Sequence, residues 1–250
     1  MNETLVSIIT PTYNCAKFIG RTIESVQAQT YTNWEMVIVD DRSKDNTKEI
    51  VDGYMKDDPR IKYHLLDENS GAAVARTTSM KLAKGSYMAF LDSDDIWTSD
   101  KLEKQIEWME QTGHAFTCTA YEQIDEEDNL LGKTIKTITK TDYNRLLLDC
   151  PVGNSTVMYD VQKMGKFEVP NIRKRNDDAL WLTMLKKEKY IWGMPDVLMK
   201  YRIRQNSISS NKFKVIKYHW ILYRDIEHLS VLRSIFHIAY WCVIKVLKIK

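Results

Sequence analysis

The sequence predicts an α/β protein: a doubly wound, mostly parallel central sheet with helices on both faces, followed by a C-terminal helical tail. Three observations predict it. Short apolar runs alternate with segments of helical period through the first hundred residues. Clusters of Asp fall directly after two of those runs. The last forty residues then change to a basic, largely apolar pattern.

The first run, Val6-Ser7-Ile8-Ile9-Thr10, reads as a buried strand that stops at Pro11, which has no N–H for a ladder. In residues 16–29, Phe18, Ile19, Ile23 and Val26 recur at helical spacing. Residues 34–39 read as a second buried strand ending at Asp40-Asp41. A helix over about 46–55 follows, with Ser43, Asp45 and Asn46 as its start signals. Residues 61–66 are a third strand, and 72–83 a helix closed by Lys84-Gly85. Residues 87–91 are a fourth strand, with a helix over about 100–111 behind it. Strands alternating with helices imply parallel pairing. Beyond Gly113 the pattern weakens: 152–159 reads as a strand and 179–189 as a helix. The chain therefore divides into 1–113, 114–211 packed on it without a linker, and a basic amphipathic helical tail, 212–250.

Composition narrows the function. At 250 residues and 44% apolar side chains, a core needs no staples. A net charge of +2 argues against a nucleic-acid binder driven by bulk charge. Cys15, Cys118, Cys150 and Cys242 match neither a CxxC pair nor a zinc pattern, and are expected to be reduced and buried. The N-terminus has no basic segment leading into a long apolar run, so a cytoplasmic location is expected.

In open α/β sheets, ligands bind beyond the carboxyl ends of the strands. Asp40-Asp41 and Asp92-Ser93-Asp94-Asp95 both fall there. In extended backbone, residues i and i+2 share a side, so Asp92 and Asp94 can face one ligand. Like charges that close repel unless a cation sits between them. Hard carboxylate oxygens suit Mg2+ or Mn2+, and such ions also bind substrate phosphates. Asp45 and Asp100 read instead as caps. No GxGxxG follows the first strand and no GxxxxGK[ST] occurs, so a metal bridge is the remaining way to hold a diphosphate.

Four segments in register resemble family 2 glycosyltransferases of the GT-A fold. They are Ser7-Ile8-Ile9-Thr10-Pro11-Thr12-Tyr13-Asn14, Val37-Ile38-Val39-Asp40-Asp41-Arg42-Ser43-Lys44-Asp45-Asn46-Thr47, Gly71-Ala72-Ala73-Val74-Ala75-Arg76 and Leu91-Asp92-Ser93-Asp94-Asp95. They cover about residues 5–110, and the likeness is strongest to bacterial enzymes of cell-surface polysaccharide assembly, of the teichuronic acid or capsule type. The resemblance implies an enzyme that moves a sugar from a nucleotide diphosphate, most often UDP, to a saccharide or lipid-linked acceptor with inversion. Pro11, Thr12 and Tyr13 would pack on the base and Asp41 would hydrogen-bond it. Asp92 would approach the ribose, with Ser93 beside it in the nucleotide-sugar site. Asp94 would hold the metal with Asp92, and Asp95 would share the metal or position the sugar. Arg76 would either support the diphosphate or brace Asp92. Relatives usually carry Gly at Arg42 and Asn at Thr77.

Two weaker likenesses lie further on. Arg175-Asn176-Asp177-Asp178-Ala179-Leu180-Trp181 resembles the family's acidic motif before a helix, which makes Asp177 the first candidate base and Asp178 the second. A capping Asp is the plain alternative. Tyr201-Arg202-Ile203-Arg204-Gln205-Asn206-Ser207-Ile208-Ser209 resembles a closing loop; Arg204 stands where some relatives have His, and would neutralise phosphate oxygens. A non-catalytic binder with the same fold is the alternative to an enzyme. A nucleotidyltransferase is disfavoured, since residues 11–17 are not a Gly-rich basic loop.

In the tail, Ser230, Arg233, Ser234, His237, Lys245 and Lys248 fall on one narrow helical face. A helix over 229–247 would be roughly 28 Å long, but its internal cations disfavour spanning a bilayer. Two readings follow: a helix lying in the inner face of the cytoplasmic membrane, or one packed on its own domain or a second subunit.

Overall fold

The computed structural model describes residues 4–204 and 212–247. Ten strands form one sheet: β1 (Val6–Thr12), β2 (Trp34–Asp40), β3 (Ile61–Leu65), β4 (Tyr87–Phe90), β5 (Ile96–Trp97), β6 (Phe116–Ile124), β7 (Leu130–Ile135), β8 (Lys140–Thr141), β9 (Met158–Asp160) and β10 (Ile191–Arg202). Their order is β3-β2-β1-β4-β9-β6-β10-β5, with β7 on β6 and β8 on β10. β3, β2, β1 and β4 are mutually parallel, as are β6 and β10; β9 runs antiparallel between β4 and β6. The sheet therefore continues through residue 113 without a break.

The helices are α1 (Ile19–Gln27), α2 (Thr47–Asp57), α3 (Ala72–Leu82), α4 (Lys101–Thr112), α5 (Tyr143–Leu148), α6 (Val161–Met164), α7 (Asn176–Leu185), α8 (Lys212–Ile221) and α9 (Val231–Leu247), with a π-helical turn over Leu222–Ile226. Strand alternation sorts the core into two layers. Ile9, Val37, Val39, Met88 and Phe90 face α3 and α7 residues such as Ala75, Met80 and Trp181. Ile8, Met36, Ile38, Ala89 and Leu91 face α1, α2 and α4 through Ile23, Val51 and Ile106. Helices thus cover both faces, as the sequence predicts.

Several expectations need correction. β1 does not stop at Pro11 but pairs with β2 through Thr12, with Pro11 opposite Val39. The strand expected over 152–159 is a 3-10 turn, Asn154–Thr156, leading into the short β9. The helix expected over 179–189 begins earlier and ends earlier, at Asn176 and Leu185. Of the four thiols, Cys15 and Cys118 are buried but Cys150 and Cys242 are only half-buried; none is in a disulfide.

The tail turns part of its polar face inward. Ser234 and His237, two members of the narrow polar face, are buried with Trp241 and Ile244. His237 lies 5.4 Å from Tyr223 and Trp241 4.6 Å from His219, ring centre to ring centre. Arg233 donates to Asn144 on α5. α9 therefore packs on its own domain. Lys248 and Lys250 lie outside the described residues.

Candidate active site

The carboxyl ends of β1, β2 and β4 open on one side of the sheet, and the loops there are knitted by short-range bonds. Asn14 and Arg42 both have positive φ, 48° and 67°. That explains why a Gly suits the Arg42 position: only a residue tolerant of the left-handed region fits. Asn14 N–H donates to Ser43 Oγ at 2.8 Å, and Lys44 N–H to Asn14 Oδ1 at 2.8 Å. Asp45 accepts from Ala16 and Thr47 backbone N–H groups, so it closes the two loops on each other rather than capping α2 alone. Pro11 and Thr12 are buried in β1, while Tyr13 is 45% exposed at the mouth.

Asp41 follows β2 and is buried. Its carboxylate accepts from Ser70 N–H at 2.6 Å, Gly71 N–H at 2.9 Å and Asn69 Nδ2 at 3.0 Å. Burial raises its carboxyl above the ordinary value, and the backbone donors work against that rise. Gly71 stands before α3 at φ 95°, ψ 159°, a region open essentially to Gly alone. Asp41 thus shapes the approach to α3.

Next to it, the four residues after Leu91 take separate places. Asp92 Oδ1 accepts from Arg76 Nη2 at 3.0 Å and Asn154 Nδ2 at 2.8 Å. Burial raises the Asp92 carboxyl; the Arg76 charge opposes this, and Asp94 and Asp177 add to it. A third of its side chain, 33%, nevertheless stays open to the cleft. Ser93 is buried, and its carbonyl accepts from Cys15 Sγ and Thr22 Oγ1. Burial pushes the Cys15 thiol up to about 12, which makes it a packing group and not a nucleophile. Asp94 is partly open, with Oδ2 accepting from Arg204 Nη1 at 3.0 Å.

Asp95 departs from the role the resemblance implies. It is fully enclosed, with Oδ2 accepting from Ser155 Oγ at 2.6 Å and Oδ1 from Arg202 N–H at 3.0 Å. Burial, then the Asp94 and Asp92 charges, raise its carboxyl well above the ordinary range. Asp95 therefore braces the turn from inside and presents no oxygen to the cleft.

Arg76 is buried on α3 and bridges Asp92 to Asn176. Of the two roles given above, its bonds fit the bracing of Asp92. Asn176 opens α7, and the next two acids part company. Asp178 is buried and ion-paired with Arg175 at 2.5 Å. Asp177 is partly open and close enough to Asp92 to raise its carboxyl.

Three contributors escaped sequence reasoning. Asn154 and Ser155 sit in the 3-10 turn beneath the cluster, and Ser155 Oγ also accepts from Asp92 N–H. Arg202, buried at the end of β10, donates to the Asp94 carbonyl at 2.7 Å and pairs with Asp128 at 2.5 Å. Arg202 and Arg204 both lie over the Phe18 ring, at 4.8 and 5.1 Å. The only signal for Arg202 was its neighbourhood to Arg204; Asn154-Ser155 carried none. The rest of the predicted closing loop, Gln205 to Ser209, lies outside the described residues.

Among the described residues, no three Asp, Glu, His or Cys side chains converge as a complete metal cage. In side-chain bonds to other described residues, Asp92 and Asp94 each use one carboxylate oxygen. Two carboxylates with spare oxygens fit Mg2+ or Mn2+, which take one or two protein carboxylates and complete their shell with phosphate and water.

The parallel strand ends thus carry a cleft lined by carboxylates and arginines, with Asp177 of α7 close to Asp92. The chain matches the family model for Glycosyl transferase family 2 over residues 7–171 and belongs to that family: it is a glycosyltransferase. It is 45% identical over 246 residues to a Bacillus subtilis protein named as a teichuronic acid biosynthesis glycosyltransferase, TuaG, covering 98% of this chain and 96% of that one. It is 40% identical to WfgD of Escherichia coli, named UDP-Glc:alpha-D-GlcNAc-diphosphoundecaprenol beta-1,3-glucosyltransferase, over 99% and 96% of the two chains. Among solved structures, S. aureus TarS 1-349 in complex with UDP-GlcNAc superposes with a TM-score of 0.71 over 95% of this chain and 71% of that one, at 18% identity. A Pyrobaculum calidifontis mannosyltransferase, PcManGT, in complex with GDP-Man and Mn2+ gives 0.65 over 90% and 64%, at 17% identity. Both share the GT-A fold with this chain.

Proposed function

We propose that this enzyme transfers a hexose from a UDP-sugar to a lipid-linked saccharide in cell-surface polysaccharide synthesis, with inversion, at the inner face of the cytoplasmic membrane. The observation that carries the chemistry is the division of labour between neighbouring acids: Asp178 is consumed by Arg175 inside the fold, while Asp177 stays partly open beside Asp92. The relatives' names support the substrate class, since WfgD is named for UDP-Glc and a diphosphoundecaprenol-linked acceptor.

In this reading Asp177 takes the proton from the acceptor hydroxyl. The hydroxyl oxygen attacks the anomeric carbon, the bond from that carbon to the diphosphate oxygen breaks, and UDP leaves. One displacement inverts the centre, and an oxocarbenium-like transition state needs no covalent nucleophile. A positioned carboxylate base contributes roughly 10²–10⁴-fold. Asp177 lies in the first turn of α7, where the helix dipole favours a carboxylate. Arg204 neutralises oxygens of the leaving diphosphate, and Tyr13 offers its exposed ring to the base. Asp92 and Asp94 would hold Mn2+ or Mg2+, which supplies Lewis-acid neutralisation of the diphosphate when bound.

The test uses the purified full chain with α-configured UDP-glucose and a synthetic diphosphate-lipid-linked GlcNAc acceptor. A β-linked product by proton NMR supports the reading. A product that keeps the α configuration, or no transfer from any UDP-hexose, overturns it.

A further inference from the structure

We infer that the outward face of α9 is a docking surface for an anionic lipid bilayer. The inference deepens the membrane placement proposed above and is independent of which acid acts as base.

Helices on a water-facing domain normally turn their apolar side inward. α9 buries Ser234, His237, Trp241 and Ile244 and still leaves a second, larger apolar side outside. Leu232 is 81% exposed and Phe236 59%, and Ile235, Tyr240 and Val243 share their side of the helix. The inward side mixes polar and apolar groups. Ser234 Oγ donates to the Ser230 carbonyl at 2.9 Å, His237 packs on Tyr223, and Trp241 packs on His219. The ring contacts and the Arg233–Asn144 bond hold the helix with its apolar ridge outward. A contiguous apolar ridge on a surface marks an interaction site.

Charge identifies the occupant. Residues 212–250 carry eight Lys or Arg against two Asp or Glu, whereas residues 1–211 carry twenty-eight against thirty-two. An anionic surface attracts the segment that bears the ridge and repels the remainder, which sets the orientation. A second copy of the chain would bring two such basic segments together. Among the described residues no helix is long and apolar enough to cross a membrane, which fits a helix lying in the interface. The placement also serves the site: α5 packs against both α9 and α7, so the ridge lies one helix away from the one bearing Asp177.

The experiment is flotation of the full chain with vesicles of phosphatidylglycerol and phosphatidylcholine, and with phosphatidylcholine alone. The unmodified chain should float with the anionic vesicles, and its bound fraction should fall about tenfold on pure phosphatidylcholine or in high salt. Leu232→Glu, and Leu232→Glu with Phe236→Glu, alter only exposed side chains; each should lower anionic-vesicle binding by about tenfold or more. Both variants should hydrolyse UDP-glucose in vesicle-free buffer at the rate of the unmodified chain, so loss of docking is distinguished from failure of the catalytic reading. Equal flotation of variants and unmodified chain overturns the inference. So does an unmodified chain that ignores anionic vesicles but forms dimers that Leu232→Glu dissociates.

Discussion

Arg76 donates from Nη2 to Asp92 at 3.0 Å while its other terminal nitrogen donates to Asn176. One buried guanidinium therefore ties the strand-end carboxylate to the first turn of α7, which carries Asp177. Lys cannot span two acceptors in this fork geometry. Arg76→Lys is expected to lower kcat about 10- to 100-fold by loosening the base relative to the donor. Steady-state kinetics check this; a variant with unchanged kcat removes Arg76 from the positioning role.

The two acids of α7 should separate in their effects. Asp177→Asn should reduce kcat by about 10²–10⁴-fold with little change in donor KM. Asp178→Asn should keep substantial activity but destabilise the fold by about 1–3 kcal/mol, because Arg175 loses its buried partner. Kinetics and urea denaturation on both variants decide it. The reverse pattern would assign the base to Asp178.

Metal removal gives a third expectation. Excess EDTA should abolish transfer, and Mn2+ or Mg2+ should restore it. Asp94→Ala should weaken Mn2+-dependent UDP binding in calorimetry while leaving the circular dichroism spectrum intact. Full activity in EDTA would separate the Asp92 and Asp94 pair from any metal role.

Lys101 supplies a pH test unrelated to catalysis. It is fully buried, bonded to Gln105 Oε1 at 2.7 Å, and burial pulls its amine down from 10.5 to about 7. The Trp97 ring 4.1 Å away favours the cation and limits the cost. Between pH 7 and 10.5 the unfolded chain holds this proton and the folded chain does not, so folded stability rises with pH across that window, by up to about 1.4 kcal/mol per unit. Lys101→Met should be more stable than the unmodified protein at pH 6, with the gap closing towards pH 10. A gap independent of pH would mean that the lysine is charged in both states.

Gly71→Ala places a Cβ on backbone at φ 95°. It should cost about 1–3 kcal/mol. It should also weaken UDP binding, because Gly71 N–H is one of the donors that orients Asp41. Thermal melting and UDP titration measure the two effects separately.

What the sequence by itself determined was local and periodic. The alternation of Ile8 and Ile9, or of Val37 and Ile38, between two helix layers follows from the pleat, and the acids after β2 and β4 land at strand ends for the same reason. Tertiary structure decided whatever depends on a distant partner. β10 contains Gly193 and Pro195 and shifts register near both, so its membership in the sheet rests on pairing with β6 rather than on its own pattern. Asp92, Asp94 and Asp95 look equivalent in sequence; Ser155 and Arg202 enclose Asp95, while Asp92 and Asp94 stay partly open. Asp177 and Asp178 part because Asp178 is buried against Arg175 while Asp177 stays partly open. The tail's helical period was legible, but its inward face was not. Burial follows the surface a helix meets, and Tyr223 and His219 accept His237 and Trp241 there, leaving the apolar ridge outside.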